Sequence, residues 1–600
     1  MSVSGTHRDG AAAIARGAVA STRYPAAARK PARFSLAAAL IYAAFALLIA
    51  VPLLLVLAQA VVPGLFDVTA PSLAPSLQPL LRAFSSSTIL VSVLHSLELA
   101  AMAAASATAL GAGFAFLVQR CDLPGRRVLA ALPWLVFLTP SYLKALAWVL
   151  LMSPGGYLTQ LGVISSGFAH GFFSLPGLIF VQTLNLFPLA AFVIGSALAG
   201  LGSEYEDAAR LAGARPRTVW LRINLPLLAP AIALSLIAIF AEGLSDFGMA
   251  ATIARNARFD LLTYGIYAAA SDYPVDFPLA GAQALILLCL VVAVVLADRM
   301  LRRQTDPKLI SGRSRPARRT RLGLWRLPAT AALILVAILA LGLPLAGIAV
   351  RAVTRTLGAG LSAENFTAAQ LAAALSPETL AGSAFAHSLF YAVIAAFLAC
   401  AAAILLSAEL DRAKRVMKPL ILAISLGAVA IPGVVLGFGY ILLWNRLPGF
   451  RDAPFPDYGS PSLLVMGYAA AALPYCLIII LAAIGQLAPS LGDAARLQGA
   501  ESFRRLVRIT LPLIFLSIVT AFLLTFIRTV FELPISQLLI PTSGTPAPPV
   551  VIRLFNHDGD GLASALSLVS MLATGGAAGA IWAMAKRIAP RRVSATGADA

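Results

Sequence analysis

One stretch of this chain occurs twice. Asp207-Ala208-Ala209-Arg210-Leu211-Ala212-Gly213-Ala214 is followed, eight positions on, by Arg222-Ile223-Asn224-Leu225-Pro226-Leu227. Asp493-Ala494-Ala495-Arg496-Leu497-Gln498-Gly499-Ala500 is followed in the same way by Arg508-Ile509-Thr510-Leu511-Pro512-Leu513, with every matched position 286 residues further along. Pro188 and Pro474 keep that offset, while His95-Ser96 pairs with His387-Ser388 and Pro140 with Pro432 at 292. The chain is therefore a duplication with one six-residue length change between its halves. Such a repeat governs every later assignment, because whatever one half folds into the other must also fold into.

Apolar runs of roughly twenty residues, enough to cross about 30 Å of hydrocarbon, recur along the whole length. With 60% hydrophobic and 12% charged residues, a water-solvated surface cannot be made. The runs are continuous rather than alternating, which excludes a β-barrel. The expected fold class is an all-α membrane protein of about 12 transmembrane helices in two parallel six-helix repeats. The first six spans are placed at 34–62, 89–118, 128–152, 173–201, 224–252 and 277–298, and the second six at 327–353, 384–408, 419–445, 460–486, 510–541 and 562–585. Residues 1–33 read as a disordered tail, 34–298 as the first domain, 299–326 as a basic flexible linker, 327–588 as the second domain and 589–600 as a short tail. An even number of spans per half keeps both halves in one orientation, and the interface between such repeats is where a substrate path forms.

The formal charge of +19 has a location. With both termini placed on the cytoplasmic side, 35 Lys and Arg fall in cytoplasmic segments and eight in outward loops. That is the positive-inside bias, and it directs the charge to anionic lipid headgroups rather than to nucleic acid. Cys121, Cys289, Cys400 and Cys476 have no metal-site or disulfide spacing, and the five histidines have no paired ligand spacing. The cysteines read as packing residues.

Each repeated stretch lies in a cytoplasmic loop between the fourth and fifth spans of its half. Glu204, Glu206 and Asp207 place negative charge where a helix N-terminus favours it. Ala208, Ala209, Leu211 and Ala212 then form a short helix with a small outward face, and Gly213 ends it in the left-handed position. Pro226 and Pro512 are expected in the first turn of the following span. A short helix of that shape suits docking into a groove on a cytoplasmic partner.

The pattern Asp-Ala-Ala, three residues, Gly, nine residues, Ile-x-Leu-Pro resembles the coupling loop of binding-protein-dependent ABC importer permeases. The first residue of each copy departs, Asp for the family's usual Glu, conserving charge. The resemblance implies two fused permease domains of the type I ABC importer fold. It also implies coupling-loop roles for Asp207, Ala208, Ala209, Gly213, Ile223, Leu225 and Pro226, and for Asp493, Ala494, Ala495, Gly499, Ile509, Leu511 and Pro512. The implied partners are cytoplasmic ABC ATPase subunits, expected as a homodimer, and a periplasmic or extracellular substrate-binding protein. The implied setting is the bacterial inner membrane. The chain carries no phosphate-cradling G-x-x-x-x-G-K-[ST] and no catalytic constellation, so it is expected to bind no cofactor and to leave ATP to the ATPase subunits.

Glu98, Glu242, Asp246, Arg528 and Glu532 are the ionisable candidates for the path, since such residues at membrane depth are functional candidates by default. Asp246 and Glu532 are repeat mates. Counted about 21 residues from the start of the fifth span at 1.5 Å each, they fall near the outer face. They either serve the substrate or bond helix ends there, and Arg528 and Glu532, four apart, are spaced to pair on a helix. The Asp246-Phe247-Gly248 and Glu532-Leu533-Pro534 segments resemble the ferric-iron permease subfamily, and hard Fe³⁺ suits oxygen ligands. Thiamine, polyamine and aminoethylphosphonate remain as cargo alternatives, and an ion-coupled secondary transporter as the rival class.

Overall fold

The computed structural model describes residues 36–66, 72–202, 204–304, 319–410, 421, 431–446, 456–499, 502–557 and 559–588. The tails at 1–33 and 589–600 lie outside the described residues, as does the middle of the basic linker. Both ends of that linker join ordered elements. The sixth span continues as one helix to Gln304, and Thr320 makes an isolated β-bridge with Cys121. Among the described residues nine helices are long and apolar enough to cross a membrane, with eleven if two bent pairs each count as one span. The remaining expected span, 419–445, is represented by the shorter apolar helix Gly433–Asn445. The helical plan of two repeats is therefore present, with nine to eleven spans and one shorter apolar helix among the described residues, and the six-residue length change falls between Pro140 and Pro188.

Two spans of each half are not the single helices expected. The third span divides into Arg126–Leu138 and Ser141–Gln160, bent by 95° at Thr139-Pro140. Pro432, the repeat mate of Pro140, stands in the same way at the N-cap of a helix, Gly433–Ile441, and residues 422–430 before it lie outside the described residues. Proline cannot donate a backbone hydrogen bond, so carbonyls before it must find other partners. Lys144, 4% exposed, turns back to give its ammonium to the Val136 carbonyl at 2.8 Å, and Thr139 Oγ1 donates to the Leu135 carbonyl at 2.8 Å. The fifth span ends at Ser245 in the first half, and short helices follow Asp246. In the second half it bends by 69° between Leu513 and Phe515, ends at Val530 and resumes at Pro534.

Pro226 and Pro512 are not first-turn prolines of a new helix. Helical structure already runs from Pro216 and Ser502, and a wide π-helical turn, Trp220–Asn224 or Leu506–Thr510, stands before each proline. The first spans repeat the device, with π turns Ala46–Ala50 and Ile338–Gly342 before Pro52 and Pro344. A π turn opens the ladder where proline would clash with the preceding turn.

The halves interlock through their first spans. Val51–Val61 packs on Gly433–Ile441 of the second half, and Leu343–Ala352 packs on Ser141–Met152 of the first. Tyr440 donates its hydroxyl to the Leu48 carbonyl at 3.1 Å. A Cβ on Gly439 would stand 2.6 Å from the Pro52 carbonyl oxygen, so only glycine permits this approach. The repeated His-Ser pair also acquires a role. Ser96 Oγ accepts the Leu262 N–H at 2.9 Å, and Ser388 Oγ accepts the Ala547 N–H at 2.7 Å. Each serine thereby satisfies the first orphan donor of the helix after the broken fifth span, Leu262–Ser271 or Ala547–Asn556.

Candidate functional site

A cavity of about 870 Å³ lies between the halves, and repeat-related residues face each other across it. Its walls include Leu234, Ile237 and Ala241 of the first fifth span, Leu524 and Arg528 of the second, and Val294 to Arg299 near the end of the sixth span. Val294, Val295, Asp298 and Arg299 lie near the end of the sixth span, toward the side that carries the repeated loops, while Ala241 and Arg528 stand about a turn from the breaks. The opposite end is closed by the breaks themselves, with Pro140-Ser141, Asp246 to Gly248, Pro432-Gly433 and Glu532 to Pro534 at the lining. The cavity therefore opens toward the repeated loops and is shut on the far side.

Asp246 and Glu532 sit deeper than counting residues placed them. Asp246 bonds Gln182 and Asn185, seven and ten residues into the helix Leu175–Gly200. At 1.5 Å per residue that is about 10–15 Å inside the far end. Counting went astray because the helix carrying Asp246 begins at Pro216, below the membrane-crossing stretch, and stops where the cavity closes. Both acids bond helix ends. Asp246 Oδ1 accepts the Met249 N–H at 3.1 Å and the Ser141 hydroxyl at 2.9 Å, while Oδ2 accepts from Gln182 at 3.2 Å and Asn185 at 3.4 Å. Glu532 accepts the Ile535 N–H at 3.0 Å and the Ser536 N–H at 3.1 Å. Each carboxylate thus supplies the acceptor that a restarting helix needs.

Glu242 and Arg528, 286 apart, also face the cavity, an acid from one half and a base from the other, with Asp298 and Arg299 lining it near the end of the sixth span. Arg528 makes no ion pair with Glu532, which lies beyond the helix end. Its guanidinium lies over the Tyr475 ring instead, 4.5 Å from the centroid. Glu98 is not on the cavity. It is exposed on one helix face with Val91, Leu94 and Met102, where its repeat mate Phe390 is also exposed. Cys400 and Cys476, which no spacing brings together, meet in the core of the second half with their sulfurs 3.6 Å apart. Among the described residues no group of three or more His, Cys, Asp or Glu is arranged to hold a metal.

Below the cavity, the repeated stretches form the helices Glu204–Leu211 and Pro489–Leu497. Gly213 has φ 82° and Gly499 φ 74°. The Ala214 N–H bonds the Ala209 carbonyl and the Gly213 N–H bonds the Arg210 carbonyl, both at 2.9 Å. That is a Schellman motif, which needs a left-handed residue at the glycine. The paired alanines divide their work instead of forming one smooth face. Ala208 and Ala494 are exposed, whereas Ala209 is half-buried and Ala495 is buried. Leu211 and Leu497 are each 90% exposed, and Tyr205 and Leu491, another matched pair, are also exposed. Ile223 and Ile509 are half-buried, Leu225 and Pro226 are exposed, and Pro512 is exposed beside half-buried Leu511. Asp207 is exposed, and Asp493 lies in the second helix.

One anchor was not visible as such in the sequence. Glu206 accepts from Arg120 at 3.1 Å and from Asn224 at 3.0 Å, and Arg120 also donates to the Leu201 carbonyl at 2.9 Å. These bonds tie the first loop helix to the ends of the second and fifth spans. The repeat mate of Glu206 is Gly492, so the second loop lacks this tie.

Two parallel helical repeats, a cavity open at one end and twin loop helices with exposed apolar side chains together define a membrane transport subunit. Residues 105–307 and 402–589 match the binding-protein-dependent transport system inner membrane component, more than half of the chain, and the protein belongs to that family. It is 24% identical over 463 residues to the putative ferric transport system permease protein of Haemophilus influenzae, covering 75% of this chain and 70% of the other. It is 23% identical over 406 residues to the ferric transport system permease protein of Actinobacillus pleuropneumoniae, covering 66% of this chain and 56% of the other. It is 31% identical over 164 residues to the molybdenum transport system permease protein of Escherichia coli K12, covering 27% of this chain and 71% of the other. The chain is an inner-membrane permease of an ABC importer, two permease domains fused in one polypeptide with the type I permease fold.

Proposed function

We propose that this permease imports ferric iron by alternating access, driven by a separate ABC ATPase pair and supplied by a substrate-binding protein. The observation that carries the cargo reading is the reach of the ferric relative. Its similarity extends over 75% of this chain, both halves included, and so matches the fused two-domain layout, which the molybdenum relative, 71% covered by 164 residues, is too short to share. A cavity with Glu242 against Arg528, and with Tyr142, Tyr468 and Tyr475 in its lining, offers oxygen atoms of the kind a hard cation prefers. No tight metal cage is required of a path that must also release its cargo.

The loop helices Glu204–Leu211 and Pro489–Leu497 take the coupling role, with Leu211 and Leu497 as the apolar contacts to the ATPase pair. The loop side is then cytoplasmic, as are both termini, and the conformation described above is inward-open. ATP binding, which belongs to the partner subunits, draws the two loop helices together. The fifth spans follow, and the closure at Asp246 and Glu532 opens to the loaded binding protein. Domain limits of 34–298 and 327–588 accompany this reading. Glu98 has no part in the path.

The test is uptake into proteoliposomes containing this chain, its ATPase and its binding protein, with radioactive ferric iron and molybdate supplied in parallel. ATP-dependent accumulation of iron alone is expected. Accumulation of molybdate without iron would overturn the cargo, and accumulation without any ATPase would overturn the class.

A further inference from the structure

Away from the cavity, the loop between the second and third spans meets the residues that lead into the seventh. The Thr320 N–H donates to the Arg120 carbonyl at 2.8 Å, the Asp122 N–H donates to the Thr320 carbonyl at 3.3 Å, and the Leu322 N–H donates to Asp122 Oδ1 at 2.9 Å. This zipper borders a pocket of about 570 Å³ whose charged lining is Asp122, Arg126, Arg127, Arg319 and Arg326. The single acid is engaged with a backbone N–H. Among the described residues none of the four guanidinium groups has an ion pair or a hydrogen-bond partner. The helix Arg126–Leu138 also begins here, after Gly125 at φ 65°, with no side-chain cap and no acid in its first turn. Two arginines at an uncapped N-terminus oppose the helix dipole, and two more stand across the pocket. An assembly of cations this dense needs an anion among them.

The surroundings say which anion. Val128, Leu324, Trp325 and Leu327 are 78%, 96%, 73% and 74% exposed, all within the first turns of helices that enter the membrane. Large apolar side chains next to the basic pocket suit acyl chains, and tryptophan is favoured at the membrane interface. We infer that the pocket binds the headgroup of an anionic phospholipid, with the phosphate between Arg126 and Arg127 on one wall and Arg319 and Arg326 on the other. Guanidinium groups match phosphate oxygens in bidentate geometry, and basic pockets at membrane-helix ends hold such headgroups. The lipid would bridge the halves, because two of its arginines begin the third span and two flank the start of the seventh. Free phosphate shares the headgroup chemistry but has no use for Leu324 and Trp325.

The full chain, purified in detergent and stripped of lipid, is titrated with short-chain phosphatidylglycerol, short-chain phosphatidylcholine and inorganic phosphate. Bound lipid is read by native mass spectrometry and by Trp fluorescence. Phosphatidylglycerol is expected to bind at least tenfold more tightly than phosphatidylcholine. Arg126→Gln and Arg319→Gln should each weaken it about fivefold, the equivalent of about 1 kcal/mol per arginine. Arg126→Lys should weaken it less than Arg126→Gln, which separates lost charge from lost folding. Leu324→Ser with Trp325→Ser should weaken phosphatidylglycerol and leave phosphate binding unchanged. Phosphatidylglycerol binding unaltered in both Gln variants would overturn the site. Phosphate competing at the affinity of phosphatidylglycerol, with the Ser variant indifferent, would replace the lipid by a soluble anion and overturn the assignment.

Discussion

Asp246 offers the sharpest separation between a charge that serves cargo and a charge that holds a helix. Asp246→Ala removes the acceptor of the Met249 N–H, and loss of such a cap costs about 1 kcal/mol. It also strands Gln182, 1% exposed, whose Oε1 already lacks a partner, and an unsatisfied buried donor costs about 1–3 kcal/mol. Ser141 and Asn185 line the cavity, where water can replace the carboxylate. The total is about 2–4 kcal/mol. Asp246→Asn keeps Oδ1 for Met249 and Ser141, and a turned Gln182 amide can present its idle oxygen to the new NH₂ group. That replacement should cost less than about 1 kcal/mol. Uptake and thermal unfolding of the purified complex are measured for both variants. D246N is expected to keep at least half of the wild-type uptake and its unfolding temperature, while D246A loses both. D246N that unfolds like wild type yet transports nothing would show that the charge acts on cargo, and the cap argument would fail.

Three further outcomes are expected. Leu211→Asp combined with Leu497→Asp changes two side chains that are each 90% exposed, so unfolding temperature should hold while co-purification of the ATPase is lost. Gly213→Pro and Gly499→Pro place a residue locked near φ −65° where 82° and 74° are required, so each should abolish uptake while membrane insertion, read by protease protection, is unchanged. Uptake unaffected in both would remove the coupling role from these loops. Arg351→Met leaves Asp560 without the guanidinium that holds it at 2.9 and 2.5 Å, and thermal unfolding should report a loss of about 3 kcal/mol.

The sequence by itself determined the membrane class, the duplication, the pairing of the two loops and the glycine that ends each loop helix. These follow from local quantities: transfer of twenty-residue apolar runs, a constant offset between copies, and a backbone conformation that glycine alone adopts freely. Pro140, Pro432, Asp246 and Glu532 were all legible as repeated landmarks, but their meaning was not. Whether proline breaks a span depends on who accepts or donates in place of the lost bond, and Lys144 reaching back to Val136 is a contact no periodicity announces. Asp246 caps Met249 three residues on, but Ser141, Gln182 and Asn185, 105, 64 and 61 residues away in sequence, converge on the same carboxylate, and no local pattern announces them. Glu98 illustrates the reverse case, since an acid at membrane depth looks equivalent to Glu242 until helix packing turns one outward and the other into the cavity. The interlocking first spans and the loop-side opening belong to tertiary structure alone. They depend on which faces meet, as where glycine at 439 lets Pro52 of the other half approach.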